Sequence, residues 1–341
     1  MDDLDFLKTH APAAESPGLD TTARARAALL ARIDAEEATL AASALAQGAD
    51  RRPPRRSHRH VWRWAGVAAA CAAAVAMAGA FLLDGGPARP DTAAASALHK
   101  AAVVALKQPS PAPLDAGQYV YVKSEGVGLI TASLANGATV NARATSVREV
   151  WMGADSQLRE TSGKPEFVTA KDRQAWIDAG RPQFYQPGTS TESLGAYKPL
   201  DLPTNPTILY AKLKLQAIGH GTGLYNEMFV LVGDDLRETA TLPAVRAALY
   251  EAAARIPGVE LMGNVTDPAG RPGVAVAMTD TTGHTRQVLT LDPKTSQLLD
   301  DAETVTAGNQ FGWPDGTLMG RTTYLVNAVV GSNSELPGGQ K

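Results

Sequence analysis

Twenty consecutive residues, from Trp64 to Leu83 (WAGVAAACAAAVAMAGAFLL), carry no charge. At about 1.5 Å per residue a helix of that length matches the ~30 Å hydrocarbon core of a bilayer, so the run predicts one transmembrane helix. Half of it is alanine, which leaves insertion to Val67, Val75, Met77, Phe81, Leu82 and Leu83, with Trp62 and Trp64 as an interfacial belt. Arg51, Arg52, Arg55, Arg56, Arg59 and Arg63 precede the run, whereas Asp84 follows it and the next base is Arg89. The positive-inside rule then places the N-terminus in the cytoplasm and residues 84–341 outside. A buried alanine-rich helix of a soluble domain does not ordinarily abut such an arginine block. A cleaved signal peptide would not have some sixty residues ahead of it, nor end on Phe81-Leu82-Leu83 where small residues are expected.

The formal net charge of −3 hides a division along the chain. Residues 1–50 carry nine acids and four bases, 51–63 six arginines and no acid, and 84–341 twenty-six acids and twenty-two bases. With cationic charge confined to one short stretch, direct nucleic-acid binding is not expected, and RRPPRRSHRH reads as a topogenic stretch that contacts lipid headgroups. A lone Cys71 excludes an internal disulfide framework and reads as a packing residue within the membrane.

The chain divides into a cytoplasmic helical tail with its arginine flank (1–63), the transmembrane helix (64–83), a linker and helix (84–117) and an extracytoplasmic domain (118–341). In the tail, Asp20 or Thr21 caps a helix through ARARAALLARIDAEEATLAASALA, on which Leu29, Ile33 and Leu40 share a face. Such a helix, with no core of its own, is either a docking element for a partner groove or a solvated spacer.

Beyond the span, DTAAASALHKAAVVALKQ has helical periodicity with a cap at Asp91 or Thr92 and is stopped by Pro109, Pro111 and Pro113. QYVYVKSE (118–125) alternates as a half-buried strand, and SVREVWMG (146–153) with SQLRETS (156–162) reads as a hairpin. Residues 180–206, rich in Pro and Gly, read as loop. Tyr225, Met228, Phe229, Val232 and Leu236 form a helical stripe, and PAVRAALYEAAARI follows with Pro243 in its first turn and Gly258 after its end. The period then changes to two. Runs 259–266, 273–279, 285–291, 297–306 and 321–330 are separated by turn sequences, so five successive strands form an antiparallel meander. The expected fold class is α+β: a curved antiparallel sheet packed with helices.

The order of arginine block, alanine-rich span, NEMFVLVGDDLRETATLPAVRAALYEAAARIPGVELMGNVTDPAGRPGVAV and LTLDPKTSQLL resembles a family of uncharacterised single-pass membrane proteins of actinobacteria. That family is anti-sigma-factor-like in layout and often lies beside extracytoplasmic-function sigma factors. The resemblance covers most of the chain and is most specific over 226–300. It implies an outer domain like the half-barrel of lipoprotein carriers and of periplasmic regulators of sigma-factor signalling, and a sigma factor as partner of the tail. Zinc-binding anti-sigma domains carry a His with Cys-x-x-Cys; residues 1–63 hold no cysteine, so a sigma-binding tail here is metal-free.

Signals for catalysis are sparse. The sequence has no Gly-x-Ser-x-Gly, phosphate loop or His-Glu-x-x-His, and His99, His220 and His284 are far apart. Gly219-His220-Gly221-Thr222-Gly223 reads as an interhelical loop rather than an anion nest. Asp234-Asp235 and Asp300-Asp301 read as solvated or turn-capping pairs; as strand neighbours, the second pair faces opposite ways. Trp151, Trp176 and Trp313 read as core or rim aromatics. No enzyme activity, cofactor or metal is expected. The leading reading is a membrane regulator in which Leu29, Ile33 and Leu40 hold a sigma factor, the arginine flank meets the bilayer, and the outer domain senses a signal. The alternative is a membrane-anchored half-barrel that binds a lipid or other apolar ligand, without a transcriptional role.

Overall fold

A computed structural model describes residues 91–197, 201–237 and 242–339. The tail helix, the arginine flank and the apolar run 64–83 lie outside these residues. All the described residues fall within one unit of the chain, Pro87–Lys341.

The fold is α+β, with five α-helices and one large open antiparallel sheet among the described residues. The helices are α1 (Thr92–Leu106), α2 (Ala170–Asp178), α3 (Pro206–Ala217), α4 (Leu224–Leu236) and α5 (Pro243–Ala253). The strands are β1 (Tyr119–Ser133), β2 (Thr139–Met152), β3 (Ser156–Ser162), β4 (Glu166–Phe167), β5 (Gly188–Gly195), β6 (Val259–Thr266), β7 (Pro272–Asp280), β8 (Thr285–Leu291), β9 (Leu298–Val305) and β10 (Leu318–Val330). Their order across the sheet is β5-β3-β2-β1-β10-β9-β8-β7-β6, with β4 paired to β2. The expected meander β6–β10 is present, and its last strand pairs with β1.

Side-chain caps start three of the helices. Asp91 caps α1, its carboxylate accepting from Ala93 N at 3.0 Å and, through its other oxygen, from Leu261 N of β6 at 3.4 Å. Asn205 caps α3 ahead of Pro206, and Thr169 with Asp172 forms a capping box on α2. The stripe of α4 buries Met228, Phe229, Val232 and Leu236 as its periodicity predicts, with Tyr225 half-buried beside them.

One core joins α1, α3, α4 and α5 to the β6–β10 half of the sheet. Leu98, Leu209, Leu213, Phe229, Leu249, Ile256, Val276 and Leu289 all belong to it. The helix grouped with the linker at 84–117 is thus packed into this core through Ala94, Leu98, Ala102 and Ala105. Gly233 lets α4 approach the sheet closely: a β-carbon there would stand 3.0 Å from Gln287 Nε2 and 3.5 Å from an Asp301 carboxylate oxygen.

The other half of the sheet departs from expectation in three ways. Strands β1 and β2 run beyond 118–125 and 146–153 as a long hairpin paired from Val120–Met152 to Ser133–Thr139. The stretch expected as loop contains β5, an edge strand paired to β3 with every residue exposed. Its sequence GTSTESLG buries no side chain, so pairing leaves no apolar alternation to read. Finally, the N-terminal part of β1 is buried on both faces. Val120 and Val122 pack with Val150 and Met152 on the helix-facing side, while Tyr121 packs with Trp151 and Val330 on the other. The C-terminal segment covers that second side: Leu336 joins the cluster, and Trp151 Nε1 donates to Glu335 O at 2.7 Å.

Candidate functional site

Strand register carries the helix-facing surface from apolar to polar. One row reads Leu289, Asp301, Thr322, Gly126, Ser146 and Ser162 across β8, β9, β10, β1, β2 and β3. The next reads Tyr324, Ser124, Arg148, Glu160 and Ser190. The first row is aliphatic on β8 and becomes carboxylate and hydroxyl from β9 onward.

The polar part floors a cleft of about 540 Å³ beside the C-terminal end of α4. Its lining includes Ser124, Gly126, Ser146, Arg148, Met152, Tyr197, Asp234, Asp235, Arg237, Thr322 and Tyr324. Gly126 keeps its floor low, because a β-carbon there would stand 3.3 Å from Ser146 Oγ and 3.8 Å from Thr322 Oγ1. Tyr324 also borders a second cavity, of about 340 Å³, under Gln108–Pro111, with Leu236, Arg246, Leu298 and Leu299 in its wall.

The charged groups at the cleft are interlocked. Arg237, which caps α4, donates to Asp301 from Nε at 2.9 Å and Nη2 at 2.5 Å, and pairs with Asp234 at 2.8 Å. Burial opposes its charge, but Asp301 and then Asp234 hold the guanidinium above its ordinary value. Burial raises the Asp234 carboxyl, and it pushes Asp235 up to about 6, helped by neighbouring Asp234 and opposed by Lys212. Both carboxylates sit where the helix dipole is negative, an unfavourable place for an anion. Burial also pulls Arg148 below its ordinary value, against the attraction of Glu160, Tyr324 and Glu192. The Tyr324 hydroxyl is shifted upward by burial.

Asp300 and Asp301 are a correction to the sequence reading. Both are buried, at 4% and 5% exposure, and neither caps a turn. They do face opposite sides of β9. Asp301 meets Arg237 and Gln287, whereas Asp300 accepts from Thr323 Oγ1 at 2.6 Å and pairs with Arg321 Nε at 3.3 Å without hydrogen-bond alignment. Buried carboxylates need such partners, and theirs lie on other elements.

The other residues singled out in the sequence are dispersed. His99 of α1 pairs with Glu251 of α5 at 2.8 Å, which raises its pKa; His284 contacts Ala307 O at 2.9 Å; His220 is exposed. The Gly219–Gly223 loop joins α3 to α4, and Thr222 donates to Asp280 while Glu227 stands against Gly221, so carboxylates occupy the place of an anion. The tryptophans belong to three separate clusters: Trp151 with Tyr121, Trp176 with Phe167, Trp313 stacked on Phe311 at 4.2 Å. Among the described residues no group of three metal-ligating side chains forms, and no helix is long and apolar enough to cross a membrane. Leu29, Ile33, Leu40, Arg51, Arg52, Arg55, Arg56, Arg59 and Arg63 lie outside the described residues.

Sequence reasoning did not single out Arg148, Arg237 or Tyr324. The signal available was the alternation of 146–153, which puts Ser146 and Arg148 on one face. No protein-family model and no curated protein sequence matches the chain.

Proposed function

We propose that this chain is a non-enzymatic single-pass membrane regulator, anti-sigma-factor-like in layout, whose extracytoplasmic half-barrel-like domain binds a signal ligand. The observation that carries the reading is the cleft of about 540 Å³ on the polar part of the sheet beside the end of α4, in a domain that the positive-inside rule assigns to the outside. A helix-backed half carrying a polar cleft supports the reading of a receptor for a small ligand. The cytoplasmic tail supplies the output: Leu29, Ile33 and Leu40 hold a sigma factor without metal, and the six arginines bind lipid headgroups at the inner face.

The apolar-carrier alternative draws less support, since its ligand would have to desolvate hydroxyls, guanidinium groups and carboxylates across the cleft. Two measurements test the proposal. A reporter fused after Gly86 is expected to be active outside the membrane, and cytoplasmic activity overturns the topology. Residues 1–60 are expected to retain a sigma factor with chelator present and to lose it in Leu29→Asp with Ile33→Asp; retention by that variant removes the assigned role of the helix face.

A further inference from the structure

The cleft has hydroxyls to spare. Ser124, Ser146, Thr322 and Tyr324 all line it, and none makes a side-chain hydrogen bond among the described residues. They stand together because strand pairing sets Tyr324 opposite Ser124 and Gly126 between Thr322 and Ser146. Ser124 is nearly enclosed, at 2% exposure. Unpaired hydroxyls this close together are costly to cover with anything that cannot hydrogen-bond.

The surroundings narrow the ligand class by elimination. The lining sets Asp234 and Asp235 against Arg148 and Arg237, so it offers no net charge to hold an anion. A metal ion finds no group of three ligating side chains among the described residues. A hydrocarbon would strip water from the hydroxyls. What remains is a neutral molecule that donates and accepts at many points, and Tyr197 and Tyr324, which also line the cleft, can add apolar contact to the C–H groups of a pyranose. A volume of about 540 Å³ lies within the roughly 300–1,000 Å³ of small-molecule sites.

We infer that the cleft floored by Ser124, Ser146, Thr322 and Tyr324 is a binding site for a neutral saccharide. This deepens the receptor reading and rests on it for its biological meaning, but the binding itself is measured separately from the tail. The full-length chain, kept in lauryldimethylamine oxide because that detergent carries no sugar, is titrated by calorimetry and saturation-transfer NMR with cellotetraose, chitotetraose and maltotetraose. At least one is expected to bind saturably. Ser146→Ala with Thr322→Val and Tyr324→Phe, which removes three hydroxyls while keeping the side-chain shapes, is expected to weaken it about tenfold or more at an unchanged melting temperature. Tyr324→Phe alone is expected to give a smaller loss in the same direction, so a misfolded triple variant still leaves a reading. The inference is overturned if none of the three sugars binds, if the variants bind as the wild type does, or if palmitate or the peptide Gly-Ser-Gly-Ser occupies the cleft instead. Failure there leaves the sigma-factor experiment standing, and failure at the tail leaves the sugar result standing.

Discussion

The two halves of the sheet are held in different ways. From β6 to β9 it is backed by four helices, and Phe229, Leu249, Ile256, Val276 and Leu289 are buried in one continuous core. From β1 to β5 it has two small clusters on opposite faces and an outermost strand with no buried residue. Apolar burial is the main source of folded stability, so rigidity belongs to the first half and exposed polar chemistry to the second. A recognition surface on the second half is positioned by the first without sharing its packing demands.

Substitutions should expose that asymmetry. Phe229→Ala in the covered half is expected to cost about 3–5 kcal/mol in urea unfolding, because a fully buried ring leaves a cavity that the packed helices cannot close; a loss below about 1 kcal/mol would place the core elsewhere. Asp301→Ala is expected to cost about 1–2 kcal/mol, since Arg237 is 41% exposed and turns to solvent when its partner is lost. Leu336→Ala in the other half is expected to cost about 1 kcal/mol and to shift the Trp151 fluorescence to longer wavelength, as the C-terminal segment that covers it loosens. Ser146→Ala is expected to change stability by less than about 0.5 kcal/mol, marking the cleft floor as a surface not needed for folding.

The pH dependence sharpens the same contrast. Asp235 is raised in the folded state from 3.8 to about 6, so the folded protein holds that proton more tightly than the unfolded chain does. Stability from this group is fully present below about pH 3.8 and is lost as pH rises through about 6. Melting temperatures measured between pH 5 and pH 7 should therefore fall with rising pH, and Asp235→Asn should flatten that slope. An equal slope in the variant would assign it to another group.

What the sequence reveals follows the same division. The meander β6–β10 and the stripe of α4 were legible because burial on one face writes a period into the chain, two for the strands and 3.6 for the helix. Strand β5 and helix α2 bury almost nothing, β5 no residue and α2 only Asp172, so neither writes one. The pairing of β1 with β10 joins opposite ends of the domain, and no local pattern specifies it. The cleft was hidden for the same reason: Arg148, Arg237 and Tyr324 meet through register and helix docking, not through spacing. Asp300 and Asp301 looked solvated because Arg237, Arg321 and Thr323, which make their burial tolerable, are remote in sequence or on another strand.

The pairing of β1 with β10 also sets a timetable. Among the described strands β1 is made first, and its partner in the middle of the sheet is made last. Until that partner has emerged, β1 and β9 each present an unpaired edge, and the two half-sheets have no ladder between them. A chain delivered from its N-terminal end completes the sheet only when its closing strand arrives, so both edges stay open to other strands until then.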